Sequence, residues 1–373
     1  MLDSTARMAA YRAALAAAIT PGAVVLDIGT GTGAMALLSC RLGARHVYAI
    51  ECLEEIQIAR ETAAANGLAD RITFIRGDSM KVDLPEKVDL IVEDLRGALP
   101  LLGTHIPVVV DARTRFLRPG GRIISCRDTL YCAVIEAEEL YDRLTRPWRA
   151  RLDGIDLSVA TRYVTNSLHK LSARRDQLLT DGRAWATIDY ATVGSASVSG
   201  SVRLEIARKG TGHGLLLWFD GELFPGVVIS NAPGQPATNY VPLFLPWPEP
   251  VSLDDSRQVD VKLRADYVGS DYVFTWESSF VAAGARPGPR LRFRQSEFTG
   301  TPKSRELLAK SASSHRPAAS ADGMAARFVL ERMNGSLPLA EIAFQLSREY
   351  PEQFPSTRAA LDFAAQLSAC YGI

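Results

Sequence analysis

Asp27-Ile28-Gly29-Thr30-Gly31-Thr32-Gly33 sets a carboxylate ahead of three glycines that alternate with small residues. Glycine has no Cβ, so such a turn lets the backbone press against a ligand. A dinucleotide turn spaces its glycines G-x-G-x-x-G to seat a pyrophosphate on a helix N-terminus. The D-x-G-x-G-x-G spacing suits instead the amino-acid end of S-adenosylmethionine, a ligand without phosphate. A tight structural turn is the alternative. Glu51 follows about twenty residues after the glycines, where a carboxylate can accept both hydroxyls of a ribose. Gly77-Asp78-Ser79 stands where the adenine would lie. Asp27, Gly29, Gly31, Gly33, Glu51, the adjoining Cys52, Asp78 and Ser79 are therefore the cofactor-side candidates.

Residues of this kind need strand ends to hold them. Val24 to Leu26 is apolar β-type sequence running into Asp27, and Ala34 to Leu42 reads as a helix stopped by Gly43. His46 to Glu51 is a second strand, Leu53 to Asn66 an amphipathic helix closed by Asn66-Gly67, Arg71 to Ile75 a third strand and Lys87 to Val92 a fourth. Ligand-type residues thus fall at the carboxyl ends of successive strands, as in a parallel nucleoside-binding sheet.

At 373 residues the chain has room for two domains and a small third. Lys+Arg and Asp+Glu balance at 42 each, which gives no net field for nucleic acid or an anionic membrane. No apolar run approaches a membrane span and no secretory signal opens the chain, so neither membrane nor nucleic-acid partners are expected. The 5 cysteines include no C-x-x-C pair, which points to a reducing, cytoplasmic setting. Cys40, Cys52, Cys126 and Cys132 lie in apolar element sequence and read as core residues. His46 and His169 have no neighbours resembling a metal site.

Residues 1–20 read as a helix ended by Pro21-Gly22. Residues 1–127 form the cofactor-binding domain, with Glu93 to Thr104 a loop and Pro107 to Leu117 a helix stopped by Arg118-Pro119-Gly120-Gly121. Residues 128–298 carry short alternating strands with Gly, Pro and Asn turns, an antiparallel β-domain interrupted by a polar, weakly helical insertion. Residues 299–322 read as a Ser/Ala/Pro-rich linker. Residues 323–373 form a helical appendix with helices over Leu337 to Tyr350 and Ser356 to Tyr371. That appendix resembles the small modules that hold leader peptides in peptide maturation; helices packing on the β-domain or on a partner subunit are the alternative.

A Rossmann-like sheet followed by a β-barrel, opened by Met1-Leu2-Asp3, Arg7 and Tyr11, resembles the protein arginine methyltransferases. Asp27 to Gly33 stands at that family's glycine loop, Ile50-Glu51 at its ribose-binding acid, and Leu84-Pro85-Glu86-Lys87-Val88-Asp89 at its L-P-x-x-x-V-D. Asp111-Ala112-Arg113 and Pro119-Gly120-Gly121 continue the match. The resemblance implies S-adenosylmethionine as cofactor, with Arg7 on its carboxylate and Tyr11 beside the substrate. It implies a homodimer too, since Gly154-Ile155-Asp156-Leu157-Ser158 resembles the start of the family's dimerisation arm, about 153–180. The chain begins at the M-L-D motif, so the family's aromatic N-terminal helix is expected to be absent.

The acceptor loop departs from the family. A guanidinium, charged up to a pKa above about 12, is gripped there by two glutamates on one hairpin loop. Asp94 matches the first, one methylene shorter, and Gly103 stands at the second. Arg96 adds a cation to this loop; it either closes the loop on Glu93 or Asp94, or repels a guanidinium and receives an acceptor carboxylate. The family's T-H-W loop reads Thr238-Asn239-Tyr240, which makes Asn239 and Tyr240 substrate-side candidates. His105 is either a general base or a packed cap of the next helix, and Trp247 either packs on the barrel or stacks on substrate.

The catalytic candidates are therefore Asp94, Glu93, Arg96 and His105, with Glu93 also counted on the cofactor side. The expected function is a biosynthetic N- or O-methyltransferase acting on a modified peptide or small metabolite. A true protein arginine methyltransferase using Glu93 and Asp94, and a non-catalytic cofactor-binding scaffold, are the alternatives.

Overall fold

The computed structural model describes residues 4–236, 238–254, 257–282 and 291–372. Met1-Leu2-Asp3 of the opening motif lie outside the described residues. The chain divides into two compact units after Pro302.

The first unit opens with α1 (Thr5–Ala18), whose buried face is Arg7, Tyr11, Ala14, Leu15 and Ala18. These positions fall on one stripe at helical spacing, so Arg7 and Tyr11 lie one turn apart on the side that meets the protein. Next come β1 (Val24–Ile28), α2 (Ala34–Arg41), β2 (His46–Glu51), α3 (Ile56–Ala65), β3 (Ile72–Arg76), β4 (Val88–Glu93), α4 (His105–Arg115) and β5 (Leu117–Ile124). The strands form a parallel sheet in the order β3-β2-β1-β4-β5. Central β1 is buried at every position, which is why its sequence is an unbroken apolar run rather than an alternating one. Asp27 and Glu93 lie at the carboxyl ends of neighbouring strands, and Ile28 pairs with Glu93 in register.

The fifth strand corrects the sequence expectation of a helix stop at Arg118-Pro119-Gly120-Gly121. β5 runs straight through those residues and pairs with β4 through Arg122, Ile123 and Ile124. It pairs on one side only, and an edge strand tolerates proline and glycine that a central strand would not.

The antiparallel part follows: β6 (Arg127–Ile135), α5 (Glu138–Arg149), β7 (Arg151–Leu152), β8 (Ile155–Asp156), α6 (Thr161–Thr165), β9 (His169–Lys170), β10 (Arg183–Asp189), β11 (Val198–Glu205), β12 (Gly210–Phe224), β13 (Val227–Ser230), β14 (Leu243–Leu253), β15 (Arg257–Val268), β16 (Asp271–Ala282) and β17 (Arg292–Ser296). One sheet has the order β10-β6-β12-β14-β9 with β13 on β12, and the other β11-β15-β16-β17. Their apolar faces share one core. Trp247 packs there fully buried, edge-on to Phe280, with its Nε1 donating to Ser278 Oγ at 3.0 Å, so its role is packing rather than stacking on a ligand. Short α7 (Glu297–Gly300) closes this unit.

In the second unit α8 (Arg305–Lys310) is exposed throughout, and α9 (Ala321–Leu330), α10 (Leu339–Glu349) and α11 (Thr357–Tyr371) enclose a separate core of Ala325, Val329, Ile342, Leu346, Phe354 and Ala360. Among the described residues no helix is long and apolar enough to cross a membrane.

Candidate functional site

A cleft of about 540 Å³ opens at the carboxyl ends of β1 and β2, lined by Arg7, Asp27, Gly31, Glu51, Leu53 and Asp94 among others. Gly29, Gly31 and Gly33 all take positive φ, at 70, 52 and 86°. At Gly31 a built Cβ would meet nothing within 4 Å, so the backbone there faces open space and a ligand can reach the peptide plane. Glu51 sits at the end of β2 and braces the turn. Its Oε2 accepts from Gly31 N at 2.9 Å and keeps a second lone-pair direction, while its Oε1 accepts from Leu53 N at 3.1 Å and from the Cys52 thiol at 3.6 Å.

Asp27 is buried, and its Oδ2 accepts from Thr30 Oγ1 at 2.6 Å. Burial pushes its carboxyl up to about 7, against the pull of the Thr30 hydroxyl. Cys52 is exposed, with its Sγ 3.6 Å from Glu51 Oε1, which corrects its reading as a core residue; Cys40 and Cys132 are buried and Cys126 is half-buried. Asp78 is exposed and its Oδ1 accepts from Met80 N, while Ser79 is buried and its carbonyl is held by Arg115. Neither lines the cleft as Glu51 does.

The acceptor-side candidates form a buried charge network between the two halves of the unit. Asp94 is held by the Arg7 guanidinium and by the Tyr240 hydroxyl, and Arg7 Nε also reaches Tyr240 Oη at 3.0 Å. Burial and the Asp94 charge push the Tyr240 phenol up, so it stays a donor. Asn239, one residue earlier, is exposed, and among the described residues its side chain makes no hydrogen bond.

Arg96 corrects the expectation of a cation facing an acceptor. Its side chain is wholly buried, with Nε and one terminal nitrogen on the two Asp128 oxygens at 3.0 and 3.1 Å. The guanidinium also donates to Tyr11 Oη at 3.0 Å and to Ser125 Oγ. Glu93 and Asp94 stand at ion-pair distance, 3.9 and 3.8 Å, so Arg96 also closes the loop on both, while its hydrogen bonds go to Asp128, Tyr11 and Ser125. Tyr11, fully buried, donates to the Glu93 carbonyl at 3.0 Å and thus braces the loop from α1.

His105 opens α4 with its ring buried between the Pro100 carbonyl at 2.8 Å and Glu93 Oε2 at 3.1 Å. Burial lowers its affinity for a proton, but Glu93 outweighs that and raises it. Burial opposes the Glu93 charge in turn, yet His105 and Arg96 prevail and push its carboxyl down to about 2. Glu93 and His105 therefore form an internal ion pair behind the loop, away from the cleft.

Gly103 explains the missing second carboxylate. It turns with φ +48°, a region that costs a side-chain-bearing residue about 1–2 kcal/mol, and its N–H donates to Asp271 Oδ1 at 3.0 Å. Asp128 and Tyr190, whose hydroxyl also meets Asp128, belong to the network and carry no local sequence signal. The one available hint was Arg96 itself, because a buried guanidinium requires a carboxylate.

Comparison with known proteins matches residues 25–121 to the methyltransferase domain family and residues 126–270 to the arginine methyltransferase oligomerization subdomain. The chain is 30% identical over 250 residues to the probable protein arginine N-methyltransferase 6 of Arabidopsis thaliana, covering 64% of this chain and 57% of that protein. It is 30% identical over 260 residues to the probable histone-arginine methyltransferase CARM1 of Oryza sativa subsp. indica, covering 65% and 49%. The chain spans about half the length of the curated relatives it matches. Among solved structures, the Trypanosoma brucei PRMT1 enzyme-prozyme complex with AdoHcy matches at TM-score 0.73 and 24% identity, over 79% of this chain and 96% of that one. Arabidopsis thaliana protein arginine methyltransferase 10 matches at 0.71 and 21%, over 80% and 96%. These structural likenesses show the shared fold.

Proposed function

Starting from a chain that is a member of the protein arginine methyltransferase-like family, we propose that it uses S-adenosylmethionine to methylate a nitrogen or oxygen of an acceptor without a free guanidinium. A modified peptide or a small metabolite fits that description.

The residues present suit the cofactor. Gly31 offers backbone with open space above it, and Glu51 offers two carboxylate oxygens at a strand end. Arg7 lines the same cleft and is the cation for the methionine carboxylate. When bound, S-adenosylmethionine supplies an electrophilic methyl group. The chain's task is then mostly to place an acceptor lone pair in line with it. Asp94 is the carboxylate that reaches the cleft from the acceptor loop, so it orients the acceptor and takes its proton at an Oδ atom.

The observation that carries the choice of acceptor is the state of Asp94. Its charge is answered by Arg7 and its second oxygen by Tyr240, while Gly103 stands where a second carboxylate would be. A guanidinium entering here would meet one carboxylate on this loop, Asp94, instead of two. Losing one partner of a buried charged contact costs about 3–5 kcal/mol. The naming of the curated relatives as arginine methyltransferases favours the second reading, a true protein arginine methyltransferase. Incubation with labelled cofactor and a glycine-arginine-rich peptide separates the two: background incorporation is expected, and robust label located on arginine by mass spectrometry would establish the second reading.

A further inference from the structure

The first unit carries a cavity larger than the cofactor cleft. It is a groove of about 760 Å³ beside the unpaired edge of β5, within the range of small-molecule pockets. Its floor is apolar: Leu117 and Ile123 from β5, Ala191 after β10, and Phe224-Pro225 at the β12–β13 turn. Half-buried Cys126 also lines it, its thiol shared between the Ile123 and Leu223 carbonyls.

The rim is cationic. Arg113, Arg118, Arg122 and Arg127 all line the groove, against Asp189 as the lining acid. Arg118 is paired with Asp89 at 2.6 Å and Arg127 with Glu222 at 3.2 Å. Arg113 spends its donors on the Tyr190 and Val193 carbonyls, which hold it in place without cancelling its charge. Exposed Arg122 has no carboxylate partner among the described residues. Its guanidinium lies 5.5 Å from the centroid of the Phe224 ring, a contact that holds the cation against the aromatic part of the lining. Asp189 spends one oxygen on the Ala191 N–H at 2.9 Å.

We infer that this groove is a second ligand site, for a small amphipathic anion with an aromatic or acyl body on the Leu117–Phe224 floor and a carboxylate on Arg122. An apolar floor alone would accept any hydrophobe. The uncompensated guanidinium fixed on the floor's own aromatic ring selects for an anion, and its planar fork matches a carboxylate bidentately. The site is separate from the cofactor cleft: Arg7, Gly31, Glu51 and Asp94 line that cleft and none of them lines the groove.

The test uses the full chain, with 1-naphthoate and its neutral counterpart 1-naphthylmethanol as probes, followed by saturation-transfer NMR and titration. Naphthoate is expected to bind at least tenfold more tightly than the alcohol, undisturbed by saturating S-adenosylhomocysteine. Arg122→Ala is expected to abolish that tenfold preference while leaving S-adenosylhomocysteine affinity unchanged, and Phe224→Ser to weaken both probes. Because Arg122 is exposed, the first variant keeps its fold. Absence of naphthoate binding at millimolar concentration, equal binding of the two probes, displacement by S-adenosylhomocysteine, or an unaltered preference in Arg122→Ala would each overturn the assignment.

Discussion

Glu51 shows how one carboxylate serves both the protein and a ligand, since it braces the glycine turn through Gly31 and Leu53 while its Oε2 keeps a lone-pair direction at the cleft. Glu51→Ala removes charge-assisted contacts to a ribose and is expected to weaken S-adenosylhomocysteine binding by about two orders of magnitude, from roughly 2–4 kcal/mol, measured by titration calorimetry. Asp27 gives a second expectation at this scale. Its folded pKa is raised by burial to about 7, above an unfolded value of about 3.9. Between those values the native state holds a proton that the unfolded chain has released, so stability falls as pH rises from about 4 to about 7 and is flat above. Asp27→Asn cannot titrate. The variant's stability relative to wild type should therefore grow by on the order of a few kcal/mol between pH 5 and pH 8 in urea unfolding. A constant difference would show that Asp27 is ionised throughout.

The loop 94–104 is the element on which the acceptor side turns, and it is held from several sides at once. Tyr11 of α1 reaches the Glu93 carbonyl, Asn231 donates to the Ala98 carbonyl at 2.9 Å, Asp271 accepts from Gly103, and Asp128 of β6 takes Arg96. The loop therefore joins the parallel sheet to the antiparallel sheets. Arg96→Met leaves Asp128 buried with the Tyr190 hydroxyl as its remaining donor in this cluster and is expected to cost about 3–5 kcal/mol in urea unfolding. A loss below 1 kcal/mol would mean that Asp128 is neutralised by a proton instead.

At the scale of the molecule, the insertion after α5 presents apolar side chains to solvent: Leu152, Ile155 and Val159 are 61, 59 and 65% exposed. Leu53, which lines the cofactor cleft, and Ile58 of α3 are 59 and 51% exposed. Such surface in a folded chain marks an interaction site. The expected assembly is a homodimer in which residues 153–180 of one subunit cover the cofactor domain of the other. Deleting that segment should give a monomer on light scattering and weaken cofactor binding; a wild type that is monomeric at micromolar concentration would rule the arrangement out.

What the sequence determined by itself was local. The Val24–Asp27 run, the D-x-G-x-G-x-G turn and the acid at Glu51 were legible because strand period, glycine and spacing all act within a few residues. The antiparallel part announced itself by alternation in the same way. β5 was not legible, because Pro119-Gly120-Gly121 reads as a break and only an edge position lets a strand run through it. Cys52 was misread for a related reason: it follows the apolar run Val47 to Ile50, but exposure depends on where the strand ends, at Glu51. The charge partners lay furthest out of reach. Arg96 stands at ion-pair distance from Glu93 and Asp94, its neighbours in the chain, yet its carboxylate hydrogen bonds go to the distant Asp128, while Asp94 is held by Arg7 and Tyr240. Side-chain charges pair by distance in space and by the need to satisfy every buried group at once, and only the tertiary structure sets those distances.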